Sequence, residues 1–383
     1  MKGGLREKSP GIWEVRLEAG RDPVTGRRRQ VSRSVHGTKR QAQAVLNTLL
    51  ADANIDQGGR TKATFQQLSD QWLALVQNDL SPTTIHRYKN LLKNRILPAL
   101  GSRPVESIRT NDLDRLYLGL VSDIGLAPAT VRQAHAIIRR TFRQAVLWGW
   151  IATSPAVNAT PPRAAKRTPS PPDVGEVTAL LNKAAMTDPE FRRFIHVAAI
   201  TGARRGEVCA LRWSNFDPKT KTLSIERSIV DLPGGPTEKD TKTHVSRRVA
   251  IDDGTVLILE AQRRLMNERA TLANLTILDS SFIFSNEPDG LTPWVPGSVT
   301  KKFQKLRDAL GLHNVRLHDL RHFTATRLIA AGVPVRTVSG RLGHADPSTT
   351  LNVYSHFVEA SDQVAASIIG DLIANFDAKD DSN

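Results

Sequence analysis

Cysteine is almost absent from this sequence, since Cys209 is the only one in 383 residues. A single cysteine excludes an intramolecular disulfide and any zinc site that needs several thiolates. No apolar run approaches the ~18 residues that a membrane-spanning helix requires, and residues 1–15 lack the apolar stretch of a secretory signal. We therefore expect a soluble, cytoplasmic protein.

Acidic residues are too few to neutralise the basic ones, since 38 Asp and Glu face 53 Lys and Arg, for a formal net charge of +15. The excess is uneven, because residues 1–60 and 61–160 each carry a net +6, whereas residues 161–383 carry only +3. Basic surfaces attract polyanions, and the polyanions inside a cell are mostly nucleic acid. Charge alone leaves an anionic membrane surface, a ribosomal partner or a merely solubilising surface open.

The first 57 residues are patterned as a small α+β domain. Apolar and charged residues alternate before turn-forming residues at 22–26, and a basic run follows. This order predicts a β-hairpin over residues 11–35. Thr38 can cap a helix that runs to about Asp52, ahead of a linker at 56–60.

Residues 64–160 are patterned as an all-α domain. Thr64 and Gln67 form a capping box, the pattern that starts many helices. Helical periodicity predicts further helices, which start at Ser81-Pro82 and cover 110–122 and 128–148. Six prolines between residues 155 and 172 then predict an extended linker over 161–172.

The third domain, residues 173–383, mixes helices with a few strands. Two strands are predicted to pair, 223–230 and 245–251, and a third is predicted at 282–284. The predicted helices are 187–200, 204–212, 255–270, 298–310, 318–331, 335–342 and a segment leading into Tyr354. Apolar residues at 364–376 share one helical face.

Four segments of this third domain carry the residues with chemical potential. They are 201–207, 242–248, 318–322 and 342–344, with Tyr354 ten residues after the last. Together they supply two arginines, a lysine, two histidines and a tyrosine. An arginine fork binds phosphate oxygens, a phenol assisted by a base can attack phosphorus, and a cation can protonate a leaving oxygen. This set suits exchange at a DNA phosphodiester and requires no metal or cofactor.

Each motif alone has an ordinary structural explanation. The pattern H-x-x-R occurs three times, and such a pair on a helix is usually a solvated basic stripe. Arg204 alone could be a surface residue, and His344 alone a loop or capping residue. Tyr354 alone could be a core residue. The helical spacing of the other two tyrosines, Tyr88 and Tyr117, predicts that they are core residues.

The ordered set resembles the tyrosine recombinase family, the integrases of phages and integrative elements. The motifs that match are T-G-x-R-x-x-E at Thr201, Gly202, Arg204 and Glu207; K-T-x-x-S-R-R at Lys242, Thr243, Ser246, Arg247 and Arg248; H-x-L-R-H at His318, Leu320, Arg321 and His322; and L-G-H…T-T…Y-S-H at Leu342, Gly343, His344, Thr349, Thr350, Tyr354, Ser355 and His356. No catalytic position of the family pattern is missing.

The resemblance implies a multidomain fold. Residues 1–57 would be an arm-type DNA-binding domain, although a small basic accessory domain of other use stays open. Residues 64–160 would be an all-α, SAM-like core-binding domain. Residues 173–383 would be the catalytic domain, mainly α with a small antiparallel β-sheet, in the DNA breaking-rejoining fold.

The resemblance also implies how the phosphate would be cut. Tyr354 would be the nucleophile and form a 3′-phosphotyrosyl intermediate, while Arg204 and Arg321 would clamp the phosphate oxygens. Glu207 would orient Arg204.

Proton transfers fall to the remaining residues of the pattern. Lys242 would be the general acid, with Lys239 as a nearby rival. His318 would assist removal of the tyrosine proton, and His344 would hydrogen-bond the phosphate.

The expected partners are double-stranded DNA attachment sites and three further copies of the chain, in a tetramer on DNA within a bacterial host, near the nucleoid. The apolar face at 364–376 would dock on a neighbouring protomer, or else on its own domain. Accessory proteins that bend DNA or set direction are also expected. The DNA-contact candidates are Arg27, Arg28, Arg29, Lys39, Arg87, Lys89, Lys93, Arg132, Arg139, Arg140, Arg143, Arg247 and Arg248. Two alternatives stay open: a type IB topoisomerase, and a non-catalytic DNA-binding regulator.

Overall fold

The computed structural model describes residues 3–21, 28–55, 62–165, 171–240 and 246–343. The chain divides into two compact units, Met1–Lys166 and Arg167–Asn383. No helix in the described ranges is long and apolar enough to cross a membrane.

The first unit begins with a three-stranded antiparallel sheet and one helix. The strands follow in the order β1 (Gly3–Ser9), β2 (Ile12–Arg21) and β3 (Arg28–His36), and helix α1 covers Lys39–Ile55. The predicted hairpin and helix are therefore confirmed, and β1 is an additional strand. A small core joins sheet and helix through Val15, Ala42 and Leu46, all of which are buried.

The rest of the first unit is helical. Its helices are α2 (Phe65–Val76), α3 (Pro82–Leu91), α4 (Leu97–Leu100), α5 (Thr110–Ser122) and α6 (Pro128–Leu147), with a π-helical turn at Leu92–Ile96. The capping box predicted at Thr64 is present, because the Thr64 hydroxyl accepts from the Gln67 amide and the Gln67 side chain accepts from the Thr64 amide. Ser81 precedes α3 as predicted, but its hydroxyl bonds those of Thr83 and Thr84 instead of a backbone amide.

The helical core is built from large side chains on α2, α5 and α6. Phe65, Tyr117 and Phe142 are almost completely buried, and the rings of Phe65 and Phe142 lie 5.3 Å apart. Tyr88 stacks on Trp72 at 5.8 Å. Both tyrosines of this unit are therefore core residues, as their spacing predicted.

The second unit consists of helices around two small sheets. Its helices are α7 (Val174–Thr187), α8 (Pro189–Thr201), α9 (Arg205–Cys209), α10 (Asp253–Leu272), α11 (Pro296–Asp308), α12 (Asp319–Ala330) and α13 (Val335–Leu342). The strands are β4 (Phe216–Asp217), β5 (Thr222–Ile225), β6 (Arg227–Leu232), β7 (Gly235–Asp240) and β8 (Arg247–Ala250). Strands β4, β5 and β8 form one antiparallel sheet, and β6 and β7 form a separate hairpin.

An aromatic cluster anchors the helices of this unit. Phe194 on α8 lies 5.1 Å from Phe284 and 5.6 Å from Trp294, measured between ring centroids. Phe191 extends the cluster along the same helix. Aromatic contacts of this kind stabilise a core beyond the area they bury, so they anchor the N-terminal half of α8 in this unit.

Three predictions for the second unit need correction. Residues 223–230 are two strands, β5 and β6, which belong to different sheets; only β5 pairs with β8. The sequence hides this break because Leu223, Ile225 and Ile229 keep the same alternation across it, and all three are buried.

Residues 282–284 do not form a strand. The amide of Phe282 donates to Gly290, whereas that of Ile283 donates to Leu211, so the segment bonds two different neighbours and builds no ladder. Helix α9 ends at Cys209 and is shorter than the predicted 204–212, and α7 was not predicted. Its signal was present, because Asp173 and Glu176 form a capping box at its start.

Candidate active site

The arginine box follows directly on the end of α8. Gly202 ends this helix in the left-handed conformation, with φ of 63°. A Cβ at this position would lie 2.5 Å from Cδ2 of Leu342. Only glycine satisfies both constraints, so the turn that presents Arg204 depends on Gly202.

Arg204 is held by a buried carboxylate. Its Nη1 donates to Oε1 of Glu207 at 2.8 Å, and its backbone amide donates to Oε2 at 2.9 Å. Its Nη2 donates to the carbonyl of Gly343 at 3.3 Å. The Arg204 side chain remains 26 % exposed, so the guanidinium is oriented and still accessible to a phosphate.

Glu207 is 1 % exposed and binds a second arginine. Nη2 of Arg247 donates to its Oε2 at 2.6 Å. Burial raises the pKa of the Glu207 carboxyl, but the Arg247 hydrogen bond and charge, with the bonds from Arg204, outweigh burial and hold that pKa below its usual value. Glu207 is therefore an anion between two cations.

Arg321 reaches the same turn from α12. It is 3 % exposed, and its Nη1 donates to the carbonyl of Gly202 at 2.8 Å. Gly202 lies two residues before Arg204, so the fold brings together two arginines that are 117 positions apart in the sequence.

His318 lies beside both arginines at the start of α12. Its ring is 5.2 Å from that of His322, edge to face. The ring keeps contact with solvent, but surrounding protein desolvates it, and the charges of His322, Arg321 and Arg204 add to this, which lowers the pKa of His318 to about 4. A neutral imidazole at pH 7 can accept a proton.

The C-terminal end of α13 completes the described part of the site. Nε of Arg247 donates to the carbonyl of Arg341 at 2.9 Å. Arg341 in turn donates to the carbonyls of Ile200 and Ala250, at 2.8 and 3.0 Å. These contacts bind the last turn of α13 to α8 and β8.

The hairpin next to the site holds the rival lysine. Lys239 lies on β7, half-buried, between two carboxylates that form ion pairs: Glu238 with Arg212, and Asp240 with Arg227. Lys242, the predicted general acid, lies outside the described residues, as do His344, Tyr354, the face at 364–376 and Arg27.

Most basic candidates for DNA contact are exposed. On helix α6 these are Arg132, Arg139, Arg140 and Arg143. The other exposed candidates are Arg28, Lys39, Arg87, Lys89, Lys93 and Arg248. Arg29 lies on β3, and its side chain is outside the description. Arg139, Arg140 and Arg143 also line a cavity of about 1450 Å³ between α6 and the segment 150–158.

Arg247 differs from these candidates, because its side chain is only 7 % exposed and is bound to Glu207 and Arg341. Sequence reasoning did not assign it this role, and it did not identify Arg341 at all. The one available signal was the spacing of Arg341 directly before the L-G-H motif, which is too weak to select a residue.

Solved structures share this fold. The Tn1549 transposon integrase bound to transposon right end DNA aligns with a TM-score of 0.68 and 18 % identity, over 79 % of this chain and 100 % of that one. A lambda integrase tetramer bound to a Holliday junction aligns with a TM-score of 0.60 and 19 % identity, over 91 % and 94 % of the two chains. This chain therefore shares the fold of these two integrases.

Sequence comparisons agree with the fold. The profile "Phage integrase family" matches residues 173–360, and "Phage integrase, N-terminal SAM-like domain" matches residues 64–121. The ICEBs1 integrase of Bacillus subtilis is 24 % identical over 96 % of this chain and 100 % of its own length. A XerC-like tyrosine recombinase of Caldanaerobacter subterraneus is 25 % identical over 88 % and 90 %. The chain belongs to the phage integrase family of tyrosine recombinases, enzymes that break and rejoin DNA.

Proposed function

We propose that this protein is an integrase that inserts or excises a mobile element by cutting and rejoining DNA at specific attachment sites, with Tyr354 as its nucleophile. The observation that carries the proposal is the convergence of Arg204, His318 and Arg321 around a turn, next to the end of α13. Gly343 contacts Arg204, and the sequence continues from there through His344 to Tyr354.

The first chemical step is a transesterification. The phenolic oxygen of Tyr354 attacks the scissile phosphorus and gives its proton to neutral His318. The phosphorus–O5′ bond breaks, Lys242 protonates the departing oxygen, and a 3′-phosphotyrosine and a 5′-hydroxyl result. Arg204 and Arg321 donate to the non-bridging oxygens, and His344 adds a further hydrogen bond. These donors act more strongly on the charge that develops in the transition state.

Rejoining reverses this step with a 5′-hydroxyl from the partner duplex. The phosphotyrosine keeps the energy of the broken ester, so no ATP or other cofactor is required. Exchange of two duplexes needs four cleavages, and therefore four protomers around two DNA sites. The apolar face at 364–376 would join neighbouring protomers.

The same proposal covers the partners outside the catalytic site. Residues 1–57 would bind arm-type DNA sites, the exposed arginines of α6 would contact the phosphate backbone, and bending and directionality proteins would assist. The enzyme would act in the bacterial cytoplasm, at the nucleoid.

A nicked suicide substrate tests the proposal. Such a DNA loses the short 5′-hydroxyl strand after cleavage, so the covalent adduct accumulates. We expect the wild-type protein to form an adduct that denaturing gels reveal, and the Tyr354→Phe variant to form none. Tyr117→Phe is the matched control, because that tyrosine is a core residue of the first unit.

Equal adduct in wild type and Tyr354→Phe would refute Tyr354 as the nucleophile, and no adduct in either would indicate a non-catalytic regulator. A second assay supplies two cognate duplexes and scores recombinant joints. Relaxation of supercoils without joints would indicate a topoisomerase.

A further inference from the structure

Four acceptors around the end of α13, one carboxylate and three carbonyls, are bound by two arginines that are not part of the proposed phosphate clamp. Arg247 bridges Glu207 and the carbonyl of Arg341. Arg341 bridges the carbonyls of Ile200 and Ala250. We call this pair, Arg247 and Arg341, the arginine brace.

The brace connects three of the four segments that carry the proposed chemistry. Glu207 belongs to the arginine box, and Arg247 begins strand β8, directly after the segment that contains Lys242. Arg341 lies in the last turn of α13, three residues before His344. One guanidinium, that of Arg247, therefore touches two of these parts and lies on the third.

The residues around Arg247 leave its guanidinium little space to adopt another position. Gly343 has a φ of 68°, and a Cβ on this residue would lie 2.8 Å from Nη1 of Arg247. The left-handed glycine allows the chain to pass close to the guanidinium plane. A planar donor with fixed geometry is suited to bind a carboxylate on one side and a backbone carbonyl on the other, which a lysine ammonium cannot match.

We propose that Arg247 and Arg341 are positioning residues for strand cleavage, which fix the end of α13, and with it the start of the nucleophile segment, against the arginine box and β8. This inference rests on the proposed function. The brace touches no DNA in this role. It acts by holding the reacting groups in register, and a misplacement of about 1 Å can reduce an enzymatic rate by about 100-fold.

The test separates positioning from DNA contact. Arg247→Lys and Arg341→Lys keep a cation beside the buried acceptors, so Glu207 stays compensated and the fold is retained. We expect both variants to form the covalent adduct about 100-fold more slowly than wild type at saturating DNA. The dissociation constant for a core site and its salt dependence should remain those of wild type, and the thermal melting curves should be cooperative.

Arg269→Lys is the matched control. Arg269 also pairs with a carboxylate of another helix, Glu190 at 2.8 Å, but it lies away from the brace. We expect Arg269→Lys to form the adduct at the wild-type rate. This result would show that loss of an arginine pair between helices does not by itself slow adduct formation.

The other outcomes overturn the inference in distinguishable ways. Wild-type rates of adduct formation in both lysine variants would refute the positioning role of the arginine brace and would leave the proposed function intact. A weaker DNA affinity with a normal rate at saturation would make Arg247 a DNA-contact residue. Absence of adduct from the wild-type protein itself would refute the proposed function instead, together with the brace that rests on it.

Discussion

Glu207 is the residue on which the described site depends most directly. It is buried and accepts from Arg204 and Arg247 at 2.8 and 2.6 Å. Removing one partner of a buried ion pair leaves the other charge without compensation, which typically costs several kcal/mol. Exposed pairs contribute far less, because water already solvates both charges.

We predict that Glu207→Gln lowers the free energy of unfolding by about 3 kcal/mol and slows adduct formation. Glu238→Gln, which removes a partly exposed pair with Arg212, should cost less than about 1 kcal/mol. Urea unfolding followed by circular dichroism measures both values. Equal costs for the two variants would contradict the assignment of Glu207 as a buried anion.

His318 should make stability depend on pH. Its pKa is about 4 in the folded protein against an ordinary 6.5, so the unfolded chain binds the proton more readily between these values. The free energy of unfolding should therefore rise as pH increases from about 4 to 6.5. The stability that His318 contributes is complete above pH 6.5 and is lost as pH falls towards 4.

The check on His318 is a comparison of variants. His318→Gln should show a smaller rise in unfolding free energy between pH 4 and 6.5 than wild type, as measured by urea titrations at several pH values. Parallel curves for the two proteins would show that the ring is not desolvated.

At the scale of elements, the turn between α8 and α9 positions both arginines of the proposed clamp. Its carbonyl at Gly202 binds Arg321, and its φ is 63°. The left-handed conformation costs a residue with a Cβ about 1–2 kcal/mol, and Leu342 would have to move away from the new atom.

We predict that Gly202→Ala destabilises the protein by more than about 2 kcal/mol and reduces the cleavage rate. Gly340→Ala is the matched control, because Gly340 lies in α13 and a Cβ there meets nothing within 4 Å. That change should be neutral or stabilise by up to about 1 kcal/mol. Thermal melts of both variants measure these changes in stability. A neutral Gly202→Ala would contradict the requirement for glycine at this turn.

Helix α6 presents the exposed arginines of the first unit. Each phosphate contact contributes about −0.9 to the slope of log K against log salt. The double variant Arg139→Gln and Arg143→Gln should therefore flatten the slope by about 1.8 units, as measured by fluorescence anisotropy on a core site. Arg115→Gln, at an exposed position of α5, should leave the slope unchanged. An unchanged slope in the double variant would show that Arg139 and Arg143 do not contact the DNA phosphates.

At the scale of the whole molecule, basic charge is concentrated in the first 160 residues, whereas the proposed chemistry lies in the second unit. This division matches an enzyme that holds DNA with one part and cuts it with another.

We predict that deletion of residues 1–60 weakens assembly on long attachment sites more than cleavage of a short core site. Gel-shift assays on both DNAs, with adduct formation on the short one, measure the two effects. Wild-type protein on the same pair of DNAs is the reference. Equal loss on both would argue against an arm-binding role for the first 57 residues.

Local patterns were sufficient for much of the fold. The alternation before residue 22, the capping box at Thr64 and the periodicity at 110–122 and 128–148 each predicted an element that the structure contains. These signals depend on neighbours within a few positions, where backbone geometry fixes which side chains share a face. The break between β5 and β6 at Glu226 arises because the two strands join different sheets. Their pairing depends on contacts between residues that are distant in the sequence, which a local pattern does not contain.

The sequence by itself determined the family, the order of the motifs and the identity of the chemical groups, because these are properties of residue type and spacing. Only the tertiary structure decided which groups meet: that Arg321 reaches Gly202, that Glu207 binds two arginines, and that Arg247 and Arg341 hold the end of α13. Such pairings join residues up to 141 positions apart. They arise from packing against a rigid core, so no local pattern records them.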